Sequence, residues 1–520
     1  MKILESYRGD HAARQTRDTV SMRPRLFSYA LGILCAGLVS SCTIGPDYKR
    51  PDAPKAASYT SKPMTSETVA SPVALGNSQR FVTGNIDPYW WKAFASPRLN
   101  ALIERALQSS PTIDAARARL EQAEQTYLAQ GGTTQYPQVS GNTGASRQRI
   151  NKAAFGQPGS SSTYSLFNAG VNVGYNLDLF GGNRRMLESF AAEADYQRYQ
   201  LDIARLLLVT NLVSTAITQA QLAAQIEASE QILSAQEEEL DVTGKRLSLG
   251  VSSPNEVLAL QTVVEQSRAN LPQLRNSLDQ AKHLLAVLAG LPPSSTEVPS
   301  FALTDFTLPA ELPLIIPSEL VRQRPDIQAA EALLQAANAR YGVAIAKRYP
   351  QINLSADIGS QALTASSLFG AGSLVWGVAG QLTQPLFHKG LFEESRAAKA
   401  GFDAAEANYR QTVLNAFQNV ADVLGALEHD ASSLAAQAAA NSAAQASREL
   451  VKQKYALGVA NYLDMLSAEQ QVQSNTLNLI AAQSRRFIDT IALYQAMGGG
   501  SLLPEQANAN QADLRMISAH

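Results

Sequence analysis

Residues 183–243 read NRRMLESFAAEADYQRYQLDIARLLLVTNLVSTAITQAQLAAQIEASEQILSAQEEELDVT, without a glycine or proline. Leu201, Leu208, Leu212, Leu222, Ile226, Leu233 and Leu240 all fall on two positions of a seven-residue repeat. That is the pattern of a helix burying one narrow stripe against other helices. At 1.5 Å per residue the stretch reaches about 90 Å, far beyond the three or four turns usual in a globular core. A second stretch, from Leu391 toward Leu457, also lacks proline, although Gly401 and Gly425 are expected to interrupt it. Its alanine-rich part, Ala435 to Ala446, lets neighbouring helices approach closely.

The two long helices belong to a repeat. Pro111-Thr112-Ile113 and Tyr127 recur as Pro325-Asp326-Ile327 and Tyr341, and Tyr136-Pro137-Gln138 recurs as Tyr349-Pro350-Gln351. Further on, Gly182 matches Gly390, Leu249-Gly250-Val251 matches Leu457-Gly458-Val459, Glu256 matches Asp464, and Gly290 matches Gly498. The order of these landmarks reads as two copies of a unit of about 200 residues. Shorter helices are expected at about 112–130 and 254–289 in the first copy, and at about 326–347 and 462–497 in the second. Stacked end to end, each short pair nearly matches the length of its long helix.

Each copy also carries β structure. Val171 to Leu179 and Gln351 to Ile358 alternate between apolar and polar residues, and each approaches the length of a tilted membrane strand. Gln138 to Ser146 and Leu374 to Ala379 are weaker candidates, and the stretches 151–163 and 361–372 read as loops. Four strands cannot close a membrane barrel, and an open edge in lipid leaves backbone groups unpaired at several kcal/mol each. Two chains would supply eight strands and three would supply twelve, so the count asks for an oligomer without fixing its order. The other reading is a pair of soluble hairpins capping a coiled-coil scaffold.

Composition narrows the function. Forty-three basic and forty-five acidic residues leave a net charge of -2 with no basic block, so nucleic acid is not an expected partner. The histidines at 11, 283, 388, 429 and 520 have no second ligand at metal-binding spacing. No phosphate loop, nucleophile elbow or dinucleotide fingerprint occurs, and no enzyme activity, cofactor or metal site is expected. Leu26 to Val39, preceded by Arg23 and Arg25, fits a secretory signal, with Met22 or Met1 as the start. It ends on Val39-Ser40-Ser41-Cys42. This resembles a bacterial lipobox, whose cysteine becomes the lipidated first residue; the alternative is an ordinary signal with a leftover thiol.

Several landmarks then carry a family resemblance: CTIGPDYKRP from Cys42, WWKAFASPRLNALIERAL from Trp90, AGLPP from Ala289, RQRPDIQAAE from Arg322 and YQAMGGG from Tyr494. In this order they resemble the outer membrane efflux family, the TolC-like channels, in its NodT-type lipoprotein branch. Ser96 and Ser501 depart from it, standing where an acidic residue and a tryptophan are usual. The resemblance implies an α+β membrane protein: a homotrimer with a 12-stranded transmembrane β-barrel, four strands per chain. A long periplasmic α-helical barrel and a mixed equatorial domain complete it. The expected organisation is a signal peptide at 1–41, a lipidated tether at 42–95, and repeat 1 at 96–300 with strands in about 136–180. Repeat 2 follows at 301–500 with strands in about 349–387, then a polar tail at 501–520.

The resemblance also implies a function: the outer membrane channel of a tripartite efflux pump, passively conducting small toxic compounds such as antibiotics or aromatics. Metal-ion efflux, type I protein secretion and a non-channel scaffold lipoprotein are the alternatives. The turns at Gly250-Val251 and Gly458-Val459 would dock a periplasmic adaptor that links the channel to an inner-membrane pump of RND type. Leu463, Asp464 and Ser467 would line the periplasmic gate, with Ser467 replacing an aspartate. Three Asp464 carboxylates would form a cation-attracting ring. Tyr455 and Glu256 match a pair that links helices in closed members, whereas Ala460 replaces an arginine of that lock. Lipid on Cys42 would anchor the chain in the outer membrane, and Thr43 after it agrees with sorting there.

Overall fold

The computed structural model describes residues 43–52, 58–61, 65–151 and 161–500. After a short strand β1 (Arg80–Thr83) come helices α1 (Pro97–Ser109) and α2 (Pro111–Thr134), strands β2 (Gln138–Ile150) and β3 (Ser162–Leu177), and helices α3 (Gly182–Ser248) and α4 (Pro254–Leu288). The second half runs β4 (Glu311–Leu314), α5 (Pro317–Gln323), α6 (Pro325–Ala346), β5 (Gln351–Ala362), β6 (Leu374–Thr383), α7 (Lys389–Ala456) and α8 (Tyr462–Ala496). Proline opens α1, α2, α4, α5 and α6, where its fixed φ suits a helix start and its missing N–H costs nothing.

The long helix read from residues 183–243 is α3, of 67 residues, or about 100 Å. Of its heptad residues, Leu201, Leu208, Leu212 and Ile226 are buried, and Leu222, Leu233 and Leu240 are partly covered. It packs against α2, α4, α6 and α8, while α7 packs against α6 and α8. The expected break in the second long helix does not occur: α7 runs unbroken for 68 residues through Gly401 and Gly425. A glycine inside a helix costs about 1 kcal/mol against alanine. Packing along α6 and α8 offsets this, and a Cβ at either glycine would meet nothing within 4 Å.

The four long strands form one antiparallel sheet in the order β2-β3-β5-β6, with no register break in any of its three pairings. β3 begins nine residues earlier than alternation indicates, at Ser162, because adjacent Leu166 and Phe167 mask the period-two signal. β2 likewise runs past Ser146 to Ile150, and β5 reaches Ala362, inside a stretch read as a loop. β1 and β4 form a separate parallel pair, Arg80 opposite Glu311.

Beside this pair lies the main core, where Trp90 stacks on Tyr494 at 5.0 Å between ring centres and Trp91, Phe94, Leu212, Ile217 and Phe487 are fully buried. A buried polar cluster adjoins it. The Arg486 guanidinium donates to the Gln79 side-chain oxygen at 2.8 Å and the Asn77 carbonyl at 3.2 Å. Burial, together with its partner Asp430, pushes the Asp489 carboxyl up to about 7.

The N-terminal segment is fastened to this frame. Ile44 N–H donates to the Phe180 carbonyl at 3.1 Å, Asp47 pairs with buried Arg185 at 2.6 Å, and Tyr48 and Arg50 both bind Glu331. Tyr59 O–H reaches the Ile315 carbonyl at 2.6 Å. Cys42, residues 1–41 and the tail 501–520 lie outside the described residues.

Candidate functional site

The register of the sheet assigns every strand residue to one of two faces. One face carries Val139 and Gly141 of β2, the odd residues of β3 from Phe167 to Leu177, Ile352 to Ile358 of β5 at even positions, and Leu374, Trp376, Val378 and Leu382 of β6. The other carries Ser140, Asn142, Asn168, Asn172, Asn176, Asn353, Ser355, Asp357 and Gln381, with glycines between them. Among the described residues nothing covers the apolar face: Ile358 is 56%, Trp376 73% and Val378 77% exposed.

From Leu177 to Phe167 the apolar rows span about 34 Å along the strand, or about 26 Å once a barrel tilt near 40° is applied, which matches the apolar band of an outer-membrane barrel. Such a sheet has lipid on one face and water on the other. β2 and β6 are left as free edges among the described residues. All four strands meet the helices at one end, with Ile150, Ser162, Ala362 and Leu374 at the other.

At the far end of the helices the two tips are built alike. α3 stops on a left-handed Gly250, φ +72°, whose N–H donates to the Leu247 carbonyl at 2.9 Å, while Val251 N–H reaches back to Arg246 at 2.9 Å. α7 stops on Gly458, φ +70°, with Gly458 bonded to Tyr455 at 3.0 Å and Val459 to Lys454 at 2.9 Å. This double bond pattern closes a helix and suits glycine, which lacks the Cβ that strains that backbone. The apolar side chains at both tips stand in the open: Leu249, Val251, Leu457 and Val459 are 65–79% exposed.

Each tip is followed by a reciprocal cap. Ser253 and Glu256 exchange side-chain and backbone bonds at the start of α4, and Asn461 and Asp464 do the same at the start of α8. Asp464 accepts from Asn461 N–H at 3.0 Å, and Asn461 accepts from Asp464 N–H at 2.9 Å. The two acids singled out for the gate therefore hold their own helix starts. Leu463, Asp464 and Ser467 lie together on the exposed side of α8, opposite buried Tyr462. Tyr455 and Glu256 do not join within the chain. The Tyr455 ring packs edge-on against Tyr462 at 5.8 Å with the Arg246 guanidinium 5.8 Å from its centre.

Sequence reading missed a charged seam just above the tips. Burial raises the Glu239 carboxyl, with Glu469 adding to it, and burial raises Glu469 despite Arg448 and Lys452 nearby. Arg448 lies 3.8 Å from Glu469 and 2.8 Å from Glu449. Arg448, Glu449 and Lys452, at i+3 and i+4 spacing on α7, hinted at this seam, but the contributions of Glu239 on α3 and Glu469 on α8 emerge only from packing. Among the described residues no group of three His, Cys, Asp or Glu side chains is placed to hold a metal ion.

An amphipathic sheet with free edges, carried on a long helical stalk, defines a membrane-embedded channel protein. The model of the family described as outer membrane efflux protein matches residues 102–291 and 316–499, and the chain belongs to that family. It is 30% identical over 476 residues to the probable efflux pump outer membrane protein TtgC of Pseudomonas putida, covering 89% of this chain and 94% of the relative. It is 29% identical over 489 residues to the cation efflux system protein CusC of Escherichia coli, covering 90% and 98%. Among solved structures, the outer-membrane channel OprN superposes with a TM-score of 0.79 at 27% identity, covering 88% of this chain and 99% of that one.

The protein is a TolC-like channel of the outer membrane with an efflux function, in a family of channels and not of enzymes.

Proposed function

We propose that three copies of the chain close a 12-stranded barrel, β6 of one against β2 of the next, and form the exit duct of a tripartite efflux pump. The carrying observation is the four-stranded amphipathic sheet with both edges free: in lipid, edges must pair. The polar face then lines a water-filled lumen of Asn, Ser and Gln with a single charged residue, Asp357. Such a wall offers no tight binding site, which suits passive conduction with energy supplied elsewhere.

The exposed apolar tips, Gly250-Val251 and Gly458-Val459, are the docking points for a periplasmic adaptor, which couples the duct to an inner-membrane pump. Leu463, Asp464 and Ser467 line the entrance, where three Asp464 carboxylates attract cations. Lipid on Cys42 sorts the chain to the outer membrane, and the N-terminal stretch after it is the tether. Small apolar or aromatic toxic compounds are the cargo; relatives named for toluene and antibiotic efflux support this.

Conductance across planar bilayers tests the duct. Discrete pores whose activity tracks the trimer band on a native gel are expected. Assembled trimers without conductance would leave only a scaffold.

A further inference from the structure

The lipid-facing side of the sheet carries two charges, both arginine, both at its outer end. Arg147 and Arg149 lie on β2 in the same face as Val139 and Gly141, opposite Ser165 and Thr163 of β3. These rows stand one and two steps beyond Phe167, the last row of the apolar band. At about 3.4 Å per residue and a tilt near 40°, the side chains start about 5 and 10 Å above the hydrocarbon edge, at headgroup depth. Both residues are exposed.

Among the described residues no carboxylate pairs with either arginine; Arg149 donates from Nε to the Ser161 hydroxyl at 2.9 Å. The one acid on the four strands, Asp357, belongs to the opposite face at mid-height. Among the described residues the outer rim of the apolar band is thus cationic, through Arg147 and Arg149, and uncompensated. In water a guanidinium is satisfied by solvent, whereas at a lipid headgroup level it needs a phosphate, which it binds through paired N–H donors.

We infer that Arg147 and Arg149 form a site for the phosphate groups of a phosphorylated glycolipid in the outer leaflet. The inference rests on the lipid-facing reading of the apolar sheet face. The site lies at the β2 edge, so in a closed barrel it borders the seam between subunits, and a bound lipid would brace that seam from outside.

The test uses the full-length protein in detergent, titrated with diphosphoryl lipid A and with its dephosphorylated form, bound lipid being counted by native mass spectrometry. Wild type is expected to retain the diphosphoryl form in preference, and Arg147→Gln/Arg149→Gln to lose about tenfold or more in apparent affinity. Arg147→Lys/Arg149→Lys should keep an intermediate affinity, because charge persists without the fork. Equal retention of both lipids by wild type overturns the site, whether or not the Gln variant folds. So does equal affinity of wild type and Gln variant. Full displacement by millimolar inorganic phosphate would assign the arginines to free phosphate and also overturns it. Conductance of the Gln variant should be unchanged. A protein that binds the lipid as expected yet never conducts would sink the channel reading alone.

Discussion

Replacing Ile358 by arginine is the sharpest test of the two faces. Ile358 pairs with Val171 on β3 and Trp376 on β6, one step from the middle of the band that runs from Phe167 to Leu177. Arginine at the midplane on the lipid side of an outer-membrane barrel costs about 2–4 kcal/mol. Three copies in one barrel bring that to about 6–12 kcal/mol, comparable with the whole stability of an ordinary folded domain. Asn172 sits at the same depth on the other face, opposite Asp357. Asn172→Arg therefore places the same charge in water and gains an opposite-charge cross-strand pair, worth about 0.2–1 kcal/mol. The assay is in vitro folding into lipid vesicles, read as the fraction of heat-resistant, protease-protected trimer. Ile358→Arg should fall to a small fraction of wild type, while Asn172→Arg should assemble near normally with its cation selectivity lowered. Equal insertion of the two variants, or a worse result for Asn172→Arg, would refute the assignment of lipid and lumen.

Three further outcomes are expected. Gly458→Ala should cost about 1–2 kcal/mol locally, because its φ is +70° and a Cβ strains that conformation; faster amide exchange at Val459 and the last turn of α7 would report it, and unchanged exchange would count against the cap. Asp464→Asn should lower cation selectivity while costing little stability, whereas Asp464→Ala should also lose about 0.5–2 kcal/mol of capping; if neither variant alters conductance or selectivity, the entrance ring is wrong. Asp489, raised to about 7, holds a proton in the folded state between about pH 4 and 7 that the unfolded chain has released, so its contribution favours folding as pH falls through that window and is absent above it. Asp489→Asn should flatten the dependence of thermal unfolding on pH between 5 and 8; the same slope in both proteins would remove Asp489 as its source.

The long helices were legible because period and length depend on local sequence: one proline-free heptad stretch announces α3, whereas the continuity of α7 through Gly401 and Gly425 comes from packing along α6 and α8, which propensity does not see. The strands were legible where alternation is clean, at Val171 to Leu177, and illegible where Leu166-Phe167 sets two large apolar residues side by side. β1 and β4 have four residues each, and a parallel pair joining residues so far apart exists only through tertiary packing. The same holds for Arg486, Gln79, Asp430 and Asp489, which come from the N-terminal segment, α7 and α8. The reciprocal caps went unread although their signal is local: Ser253-Pro254-Asn255-Glu256 and Asn461-Tyr462-Leu463-Asp464 each place a cap residue three before an acid.

Those caps change how the entrance should be understood. An acid three residues into a helix is favoured by the unpaired N–H groups and the dipole there, whatever lies in front of it. Glu256 and Asp464 would therefore be retained in a tip that never gated anything, and their presence alone says little about a pore. What distinguishes Asp464 is its company: Leu463 and Ser467 share its exposed side, with Leu463 62% exposed, so an apolar ring and a charged ring would sit one above the other. Both carboxylates cap their own helix starts, but where Asp464 has Leu463 before it, Glu256 has polar Asn255, and the nearby exposed Leu258 lies two residues further on. This difference between two otherwise equivalent tips supports the proposal that the entrance belongs to the second repeat. On that proposal the first tip, with Arg246 set against the Tyr455 ring, holds the second in place. Neutralising Arg246 should then loosen the entrance and raise conductance at rest, whereas the equivalent loss of Lys454, at the last turn of α7, should not; equal effects from the two would remove the asymmetry.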